Sequence, residues 1–427
     1  MIALFLIVNL LSFHSSALGQ NVWASIGGRI SDAQQTPVSK AMVTLSREAT
    51  NRTRSMISGS RGRVFFSLLP PGSYRLTVEL QGFRKHVERF DLRVNQRAYI
   101  EVQLQKGNLD EEVLVVADRS RLQRDNAALG TVIENDQITG LPLDGRNFYE
   151  LSLLLPGVSP AAPGSAGSVR GDLALNISGA REDANSVLLD GVYNIDPKLN
   201  TFGVNPPVDA IQEFEVLTHS YDASFGRSVG GQINVVLKSG TNDLHGTVYG
   251  FFRNAALDAR NFFVPAGEPD PEYRRNQFGG SVGGPFVEDR TFFFVDYEGR
   301  RVRRGITRTT TVPTQLERAG DFSQSLRPPR DPFTGQPFAA AQIPASRLHP
   351  IGSALAGLYP LPNRAGSAQN FVSSPTLRDR DDHFDFRLDH SLSQSSDLSL
   401  RYSFGDRDLF EPFSGALFSA VPGYGTD

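Results

Sequence analysis

The feature that most constrains this chain is a two-residue alternation of apolar and polar side chains near its C-terminus. Phe384, Phe386 and Leu388 alternate with His383, Asp385, Arg387 and Asp389. Beyond a polar turn at residues 393–396, Leu398, Leu400, Tyr402 and Phe404 alternate with Asp397, Ser399, Arg401 and Ser403. Upstream, Phe293, Val295 and Tyr297 alternate with Asp296 and Glu298. A period of two means strands with one apolar and one polar face. In a soluble sandwich the apolar face would be core. In a membrane barrel it would meet lipid, and the charged face would line a wet lumen. Periodicity alone allows both.

Connection lengths separate them. Strands are expected at residues 245–253, 276–286, 291–301, 383–391 and 397–405, and the connections between them run long, short, long, short. Long excursions on one side and tight turns on the other, with strands of about ten residues, are the outer-membrane barrel arrangement. The excursion at 302–382, full of Pro and Gly, would be a burden in a compact soluble domain. A barrel is therefore expected. Only five of its strands can be read here, against the roughly 22 with which large outer-membrane transporters close. An incomplete antiparallel barrel is the expectation, without a terminal aromatic strand in residues 420–427.

The rest of the chain reads as two further domains, since 427 residues exceed one ordinary core. With 40 Gly, 26 Pro and 29 Phe, turns and aromatic strand positions dominate, so the chain is mainly β. Residues 25–106 hold short alternating strands: Ala41, Val43 and Leu45, then Tyr74, Leu76, Val78 and Leu80, then Ala98, Ile100, Val102 and Leu104. With the strong turn at Pro70, Pro71 and Gly72, a small antiparallel β-sandwich follows. Residues 125–241 read as a compact α+β unit. It should carry a short helix at 146–155, a hairpin about Asp190 and Gly191, and an apolar strand at 231–238.

Between these lies a linker, 108–124, charged around the apolar island Val113, Leu114, Val115, Val116 and Ala117. The island is either one more sandwich strand or an exposed strand-like peptide offered to a partner's sheet edge. At the start of the chain, an apolar run at 2–13 followed by small residues reads as a signal peptide spanning 1–19, with Ala17, Leu18 and Gly19 as the cleavage site. No Lys or Arg precedes the run, so the true start is expected upstream of Met1. The run is too short for a helical span of roughly 20 residues. Any membrane role falls to strands.

The chain contains no Cys, which excludes disulfides and thiolate metal sites. A net charge of −3 with no basic stripe gives no reason to expect nucleic acid. No His-Glu-x-x-His motif occurs, and no Ser-His-Asp arrangement can be nominated, so an enzyme is not expected and no cofactor is called for. His383 with Asp381, Asp382 and Asp385 invites a cation, but a solvated strand end is the plainer reading. The run of Gly and Ser at 279–284 lacks the Lys-Ser/Thr ending of a phosphate loop. Its glycines are expected to ease a strand bend or a close contact with the α+β unit.

Several segments resemble a known family. Residues 140–148 (Gly-Leu-Pro-Leu-Asp-Gly-Arg-Asn-Phe), 188–192 (Leu-Leu-Asp-Gly-Val), 223–227 (Ala-Ser-Phe-Gly-Arg) and 230–241 look like the plug of TonB-dependent receptors. Residues 251–254, 260–262, 276–280 and 289–294 look like the start of an Oar-like barrel, expected over 242–427. Residues 25–106, with Asp32, Pro37, Gly59 and Gly62, resemble the carboxypeptidase regulatory-like domain, a transthyretin- or immunoglobulin-like sandwich that such receptors carry N-terminal to the plug.

The resemblance implies an outer-membrane receptor for energy-coupled uptake of a substrate too large or scarce for porins, a carbohydrate-derived one among the candidates. It also turns the island into a TonB box: Glu112, Val113, Leu114, Val115, Val116 and Ala117 would pair with periplasmic TonB as an added strand. The partners implied are TonB, outer-membrane lipid and an unidentified extracellular substrate. The competing expectation is a surface adhesion or polymer-binding protein, in which the sandwich and loops hold a glycan and nothing is transported.

Overall fold

The computed structural model describes residues 23–108, 112–116, 128–162, 173–198, 201–223, 225–226, 228–259, 270–394 and 396–413. The expected signal peptide, Ala117, residues 260–262 and residues 420–427 lie outside the described residues. The chain divides into two compact units: residues 1–247, 280–297 and 383–404 in the first, and 248–279, 298–382 and 405–427 in the second.

The sandwich opens the first unit. Its strands are β1 (Ala24–Asp32), β2 (Met42–Arg47), β3 (Arg52–Ile57), β4 (Arg63–Leu69), β5 (Gly72–Glu79), β6 (Lys85–Leu92) and β7 (Arg97–Leu104), with β8 (Glu112–Val116) added from the linker. One sheet runs β4-β1-β7 and the other β3-β2-β5-β6-β8. The alternating residues read from the sequence form the core between them: Val43, Leu45, Leu76, Val78, Ile100 and Val102 are all buried. Each such side chain contributes on the order of 1.5–3 kcal/mol. The turn before β5 needs Gly72, whose φ is +138°, and Tyr74 fastens it by donating its hydroxyl to Pro70 O at 2.7 Å.

The α+β unit follows, with β9 (Leu129–Glu134), β10 (Val158–Pro160), β11 (Leu175–Ile177), β12 (Ser186–Leu189), β13 (Val192–Tyr193), β14 (Ile195–Asp196), β15 (Thr201–Phe202), β16 (Ile211–His219) and β17 (Gln232–Leu237). Its main sheet runs β13-β12-β17-β16-β9, and β10-β11 and β14-β15 are small separate pairs. The expected hairpin is present, with Leu188 opposite Tyr193 and Leu189 opposite Val192 across Asp190 and Gly191. Both turn residues have positive φ, 47° and 82°, as a two-residue hairpin turn requires.

The helix expected at 146–155 is instead two 3₁₀ turns, Asp144–Arg146 and Phe148–Leu154. Asn147 is extended, and its side chain accepts the Tyr149 N–H, so it restarts the chain as a cap rather than continuing one helix. Phe148 then packs against Phe202 and Phe214 at ring separations of 5.5 and 5.3 Å.

The remaining strands are β18 (His245–Asn254), β19 (Tyr273–Val287), β20 (Thr291–Gly305), β21 (Arg308–Thr310), β22 (Phe371–Ser373), β23 (Thr376–Ser393) and β24 (Ser396–Phe410). Five of them form an up-and-down sheet, β18-β19-β20-β23-β24, and β21 pairs with β22 at the base of the long excursion. Among the described residues the sheet is open, not a closed barrel.

Burial decides between the two readings of the alternation. Leu398, Leu400, Tyr402 and Phe404 are 50–57% exposed, whereas Asp385 and Arg387 on the polar face of β23 are 1% and 8% exposed. Apolar side chains point out and charged ones in, the reverse of a soluble sandwich.

Four of these strands run 15, 15, 18 and 15 residues rather than about ten, because pairing continues past the membrane-length segment into the loop bases. In the second unit this absorbs the suspected cation cluster. Asp381 accepts from Arg300 at 2.8 Å, and Asp382 pairs with Arg301 at 2.7 Å and Arg380 at 3.1 Å. No group of metal-ligating side chains forms among the described residues. In the excursion, Asn370 exchanges two hydrogen bonds with the Val312 backbone, at 2.8 and 2.9 Å, which ties together residues 58 positions apart.

Gly240, just past β17, packs backbone to backbone on the sheet. A Cβ there would fall 2.4 Å from Phe293 O and 2.6 Å from Gly284 O. The glycines at 283 and 284 thus serve close contact, with no helix following to make a phosphate loop.

Candidate functional site

Three features of the first unit stand out, and each begins from a short stretch of sequence. The first is β8. Its register with β6 is parallel, from Lys85 opposite Glu112 to Arg89 opposite Val116. Parallel neighbours in register share a face. Val113 and Val115 therefore lie on the core side beside His86 and Glu88 and are half-buried, while Leu114 on the other side is 55% exposed. β8 ends the strand order, and among the described residues no strand pairs with its outer backbone edge. The island is thus a sandwich strand and an exposed edge at once, so its two readings are compatible. Four β-branched or leucine positions, Val113 to Val116, without Pro or Gly suit either partner.

The second feature is the seam between the sandwich and the α+β unit. The turn between β6 and β7 projects Val94 into a small apolar cluster with Ala128, Leu188, Leu217, Phe225 and Val236. Beside it, the Val94 N–H donates to Glu213, and Arg93 pairs with Glu134. Asn95 and Asn234 both donate to Glu215 Oε2, at 3.4 and 2.8 Å. Arg97 pairs with Asp222 at 3.0 Å at the rim. Burial pushes the Glu213 carboxyl up to about 8, with the Val94 N–H and Arg93 opposing it. Burial likewise pushes Glu215 up to about 7, against the two Asn donors.

The third feature is an ionic node on the hairpin turn. Asp190 accepts the Leu237 N–H at 3.0 Å and Arg401 Nη1 at 3.1 Å, and lies 3.7 Å from Arg387. Arg387 in turn donates to Leu237 O at 3.1 Å and to Asp389 at 2.8 Å. Both arginines come from the polar face of the outward-apolar sheet. The arrangement pins the α+β unit to that sheet through one carboxylate on a short, conformationally demanding turn. Removing one member of such a buried network strands the others, typically at about 3–5 kcal/mol.

Of the residues singled out from sequence, Glu112 to Val116 form one strand, and Ala117 lies outside the described residues. Sequence reasoning noted Asp190 within a resembling segment but not its partners. It missed Glu213 and Glu215 altogether. The available signal was two acids at alternate positions around Phe214 and just before the apolar Val216 and Leu217, in a strand whose middle is buried on both faces and so demands partners for them.

Comparison with known proteins agrees with this layout. Residues 25–105 match the carboxypeptidase regulatory-like domain, 123–232 the TonB-dependent receptor plug domain, and 236–427 the outer membrane beta barrel domain. The TonB-dependent transporter Oar of Myxococcus xanthus is 26% identical over 318 residues, covering 70% of this chain and 28% of that protein. The probable TonB-dependent siderophore receptor PirA of Acinetobacter baumannii is 25% identical over 192 residues, covering 42% of this chain and 23% of that protein. The crystal structure of PirA aligns at 18% identity with a TM-score of 0.41, over 69% of this chain and 33% of that one. The chain therefore spans about a quarter of the length of the curated relatives it matches. These relatives are transporters and receptors, not enzymes. With a regulatory-like sandwich, a TonB-dependent receptor plug and outer-membrane barrel strands in that order, the chain has the domain sequence of, and is similar to, Oar-like TonB-dependent receptors.

Proposed function

We propose that this chain is the gate and coupling portion of an outer-membrane receptor that imports its substrate with energy delivered by TonB. The observation that carries the reading is β8. Among the described residues it is a five-residue strand paired along one edge, in the segment that joins the sandwich to the plug. Backbone pairing gives such a peptide affinity for a second sheet edge with little demand on side chains. TonB, pairing with Glu112–Ala117, would take the strand from β6 and pull on the linker leading to β9. The node at Asp190 and the seam at Glu213 and Glu215 are the contacts that such a pull would have to break. Substrate captured outside would favour release of β8, in the direction that linkage requires. The apolar segment 1–19 serves as the export signal, and the outward-apolar strands seat the protein in the outer membrane.

For the cargo, the sequence-based expectation is a carbohydrate-derived molecule, by fold-level analogy alone. PirA, by its name a siderophore receptor, supplies the competing expectation, and uptake of labelled oligosaccharide set against ferric siderophore separates them. The reading itself is tested by deleting residues 112–117 in the whole receptor. Surface assembly and substrate binding should be unchanged and uptake abolished. Unchanged uptake would sink the assignment, and a receptor that binds without ever transporting would favour adhesion.

A further inference from the structure

A cavity of about 450 Å³ opens in the first unit, between the β2–β5 end of the sandwich and the turn joining β23 to β24. Its walls carry four arginines, Arg47, Arg52, Arg54 and Arg387, against two acids, Asp389 and Asp397. The acids are already engaged. Asp397 pairs with Arg52 at 2.9 Å and Arg54 at 3.2 Å and accepts from the Ser391 hydroxyl at 3.0 Å. Asp389 accepts from Arg387 at 2.8 Å and from the Ser399 hydroxyl at 2.6 Å.

Arg47 is left over. Its Nη2 donates to Pro71 O at 3.2 Å, while its Nε is shut off from solvent with no hydrogen-bond partner. Among the described residues no carboxylate comes within ion-pairing distance of it. Burial, reinforced by the neighbouring Arg387 charge and opposed by Tyr74 and Asp389, lowers the proton affinity of this guanidinium. Arginine stays charged at any physiological pH. A half-buried guanidinium with no carboxylate beside it and its remaining donors turned toward a cavity is a ready seat for an anion.

We propose that this cavity is a phosphate-binding site in which Arg47 holds the anion, and that its occupant is the phosphodiester head of a membrane phospholipid. Planar guanidinium donors suit phosphate oxygens. The source is argued from the wall, where Leu398 opens the lipid-facing row continued by Leu400, Tyr402 and Phe404. Leu68, 56% exposed, faces the same cavity from the sandwich. A head group at Arg47 leaves its acyl chain on an apolar path.

The test uses the full chain in detergent micelles and reads its single tryptophan, Trp23, which lines the cavity. Inorganic phosphate and a short-chain phosphatidylglycerol are titrated separately. Saturable fluorescence change with the lipid is expected, weakened at least about tenfold in Arg47→Gln and unaltered in Arg61→Gln, which alters an exposed arginine elsewhere in the sandwich. Saturation by phosphate alone, still dependent on Arg47, would uphold the anion site and overturn the lipid as its source. Saturation by neither probe, or equally in Arg47→Gln, would overturn the site. Should Arg47→Gln fail to fold, Arg47→Lys keeps the charge without the fork and is expected to bind more weakly than the wild type. Equal binding by that variant would exclude guanidinium recognition.

Discussion

Glu213 and Glu215 lie two positions apart on the same face of β16, and burial raises both toward neutrality, to about 8 and about 7. Their pH dependence has a definite sign. An unfolded glutamate releases its proton near its ordinary value of about 4.5, whereas Glu213 in the fold holds on until about 8. Between these values the unfolded state gains by ionising and the folded state does not, so stability falls as pH rises through that window. Below it there is no penalty, and above it the penalty is complete. Glu213→Gln keeps an acceptor for the Val94 N–H and removes the charge. It should stabilise the first unit at pH 8.5 by on the order of 1–3 kcal/mol and change little at pH 4.5. Urea unfolding at the two pH values checks this, and an unaltered pH profile would mean that the carboxyl is solvated in solution. Residue chemistry of this kind is invisible in the sequence. Nothing adjacent to Glu213 announces that the turn at Val94, 119 positions earlier, will cover it.

At the scale of elements, β8 is the marginal one. It is bonded along one edge over five residues, and its two core-side valines are only half-buried. Opening free energies near the bottom of the native range follow for such a strand. Amide hydrogen exchange should therefore be faster by orders of magnitude in β8 than in β5, which is flanked by β2 and β6. Val115→Pro, which removes a donor and fixes φ, should abolish residual protection and, in the whole receptor, uptake. Leu114→Ala, at an exposed position, should leave both near wild type; equal loss in both variants would point to side-chain recognition rather than backbone pairing. The elements also show what sequence can convey. All five barrel strands are legible, the last two because their alternation runs over seven or more residues with no competing period, the others through shorter alternation and the spacing of turns. Their true lengths are not, since loop bases pair through polar residues such as Asp381 and Asp382 that carry no alternation signal. The 3₁₀ turn at Phe148 reads as a helix because cap and interior residues look alike until Asn147 is seen to break the run.

At the scale of the whole molecule, the sandwich and TonB compete for one strand on the proposed reading, and the competition has a calculable consequence. If the partner binds only undocked β8, its apparent affinity is reduced by the fraction undocked. A strand held this lightly opens at the low end of the native range, at a cost of about 1–2 kcal/mol. A receptor lacking residues 25–106 should then bind the periplasmic domain of TonB about tenfold more tightly than the intact one.

That deletion also uncovers the cluster around Val94, so a second change acts without it. The chain contains no cysteine, and Val87 lies opposite Leu114 in the β6–β8 register. Val87→Cys with Leu114→Cys should form a single disulfide that locks β8 onto the sandwich. TonB binding by the locked protein should vanish and return with reductant, while its substrate binding stays constant. Titration calorimetry on the intact, sandwich-deleted and locked forms measures all three. Tight binding by the locked form would mean that TonB adds to the outer edge of β8 without displacing it. The sandwich would then be a platform for the partner and not its rival.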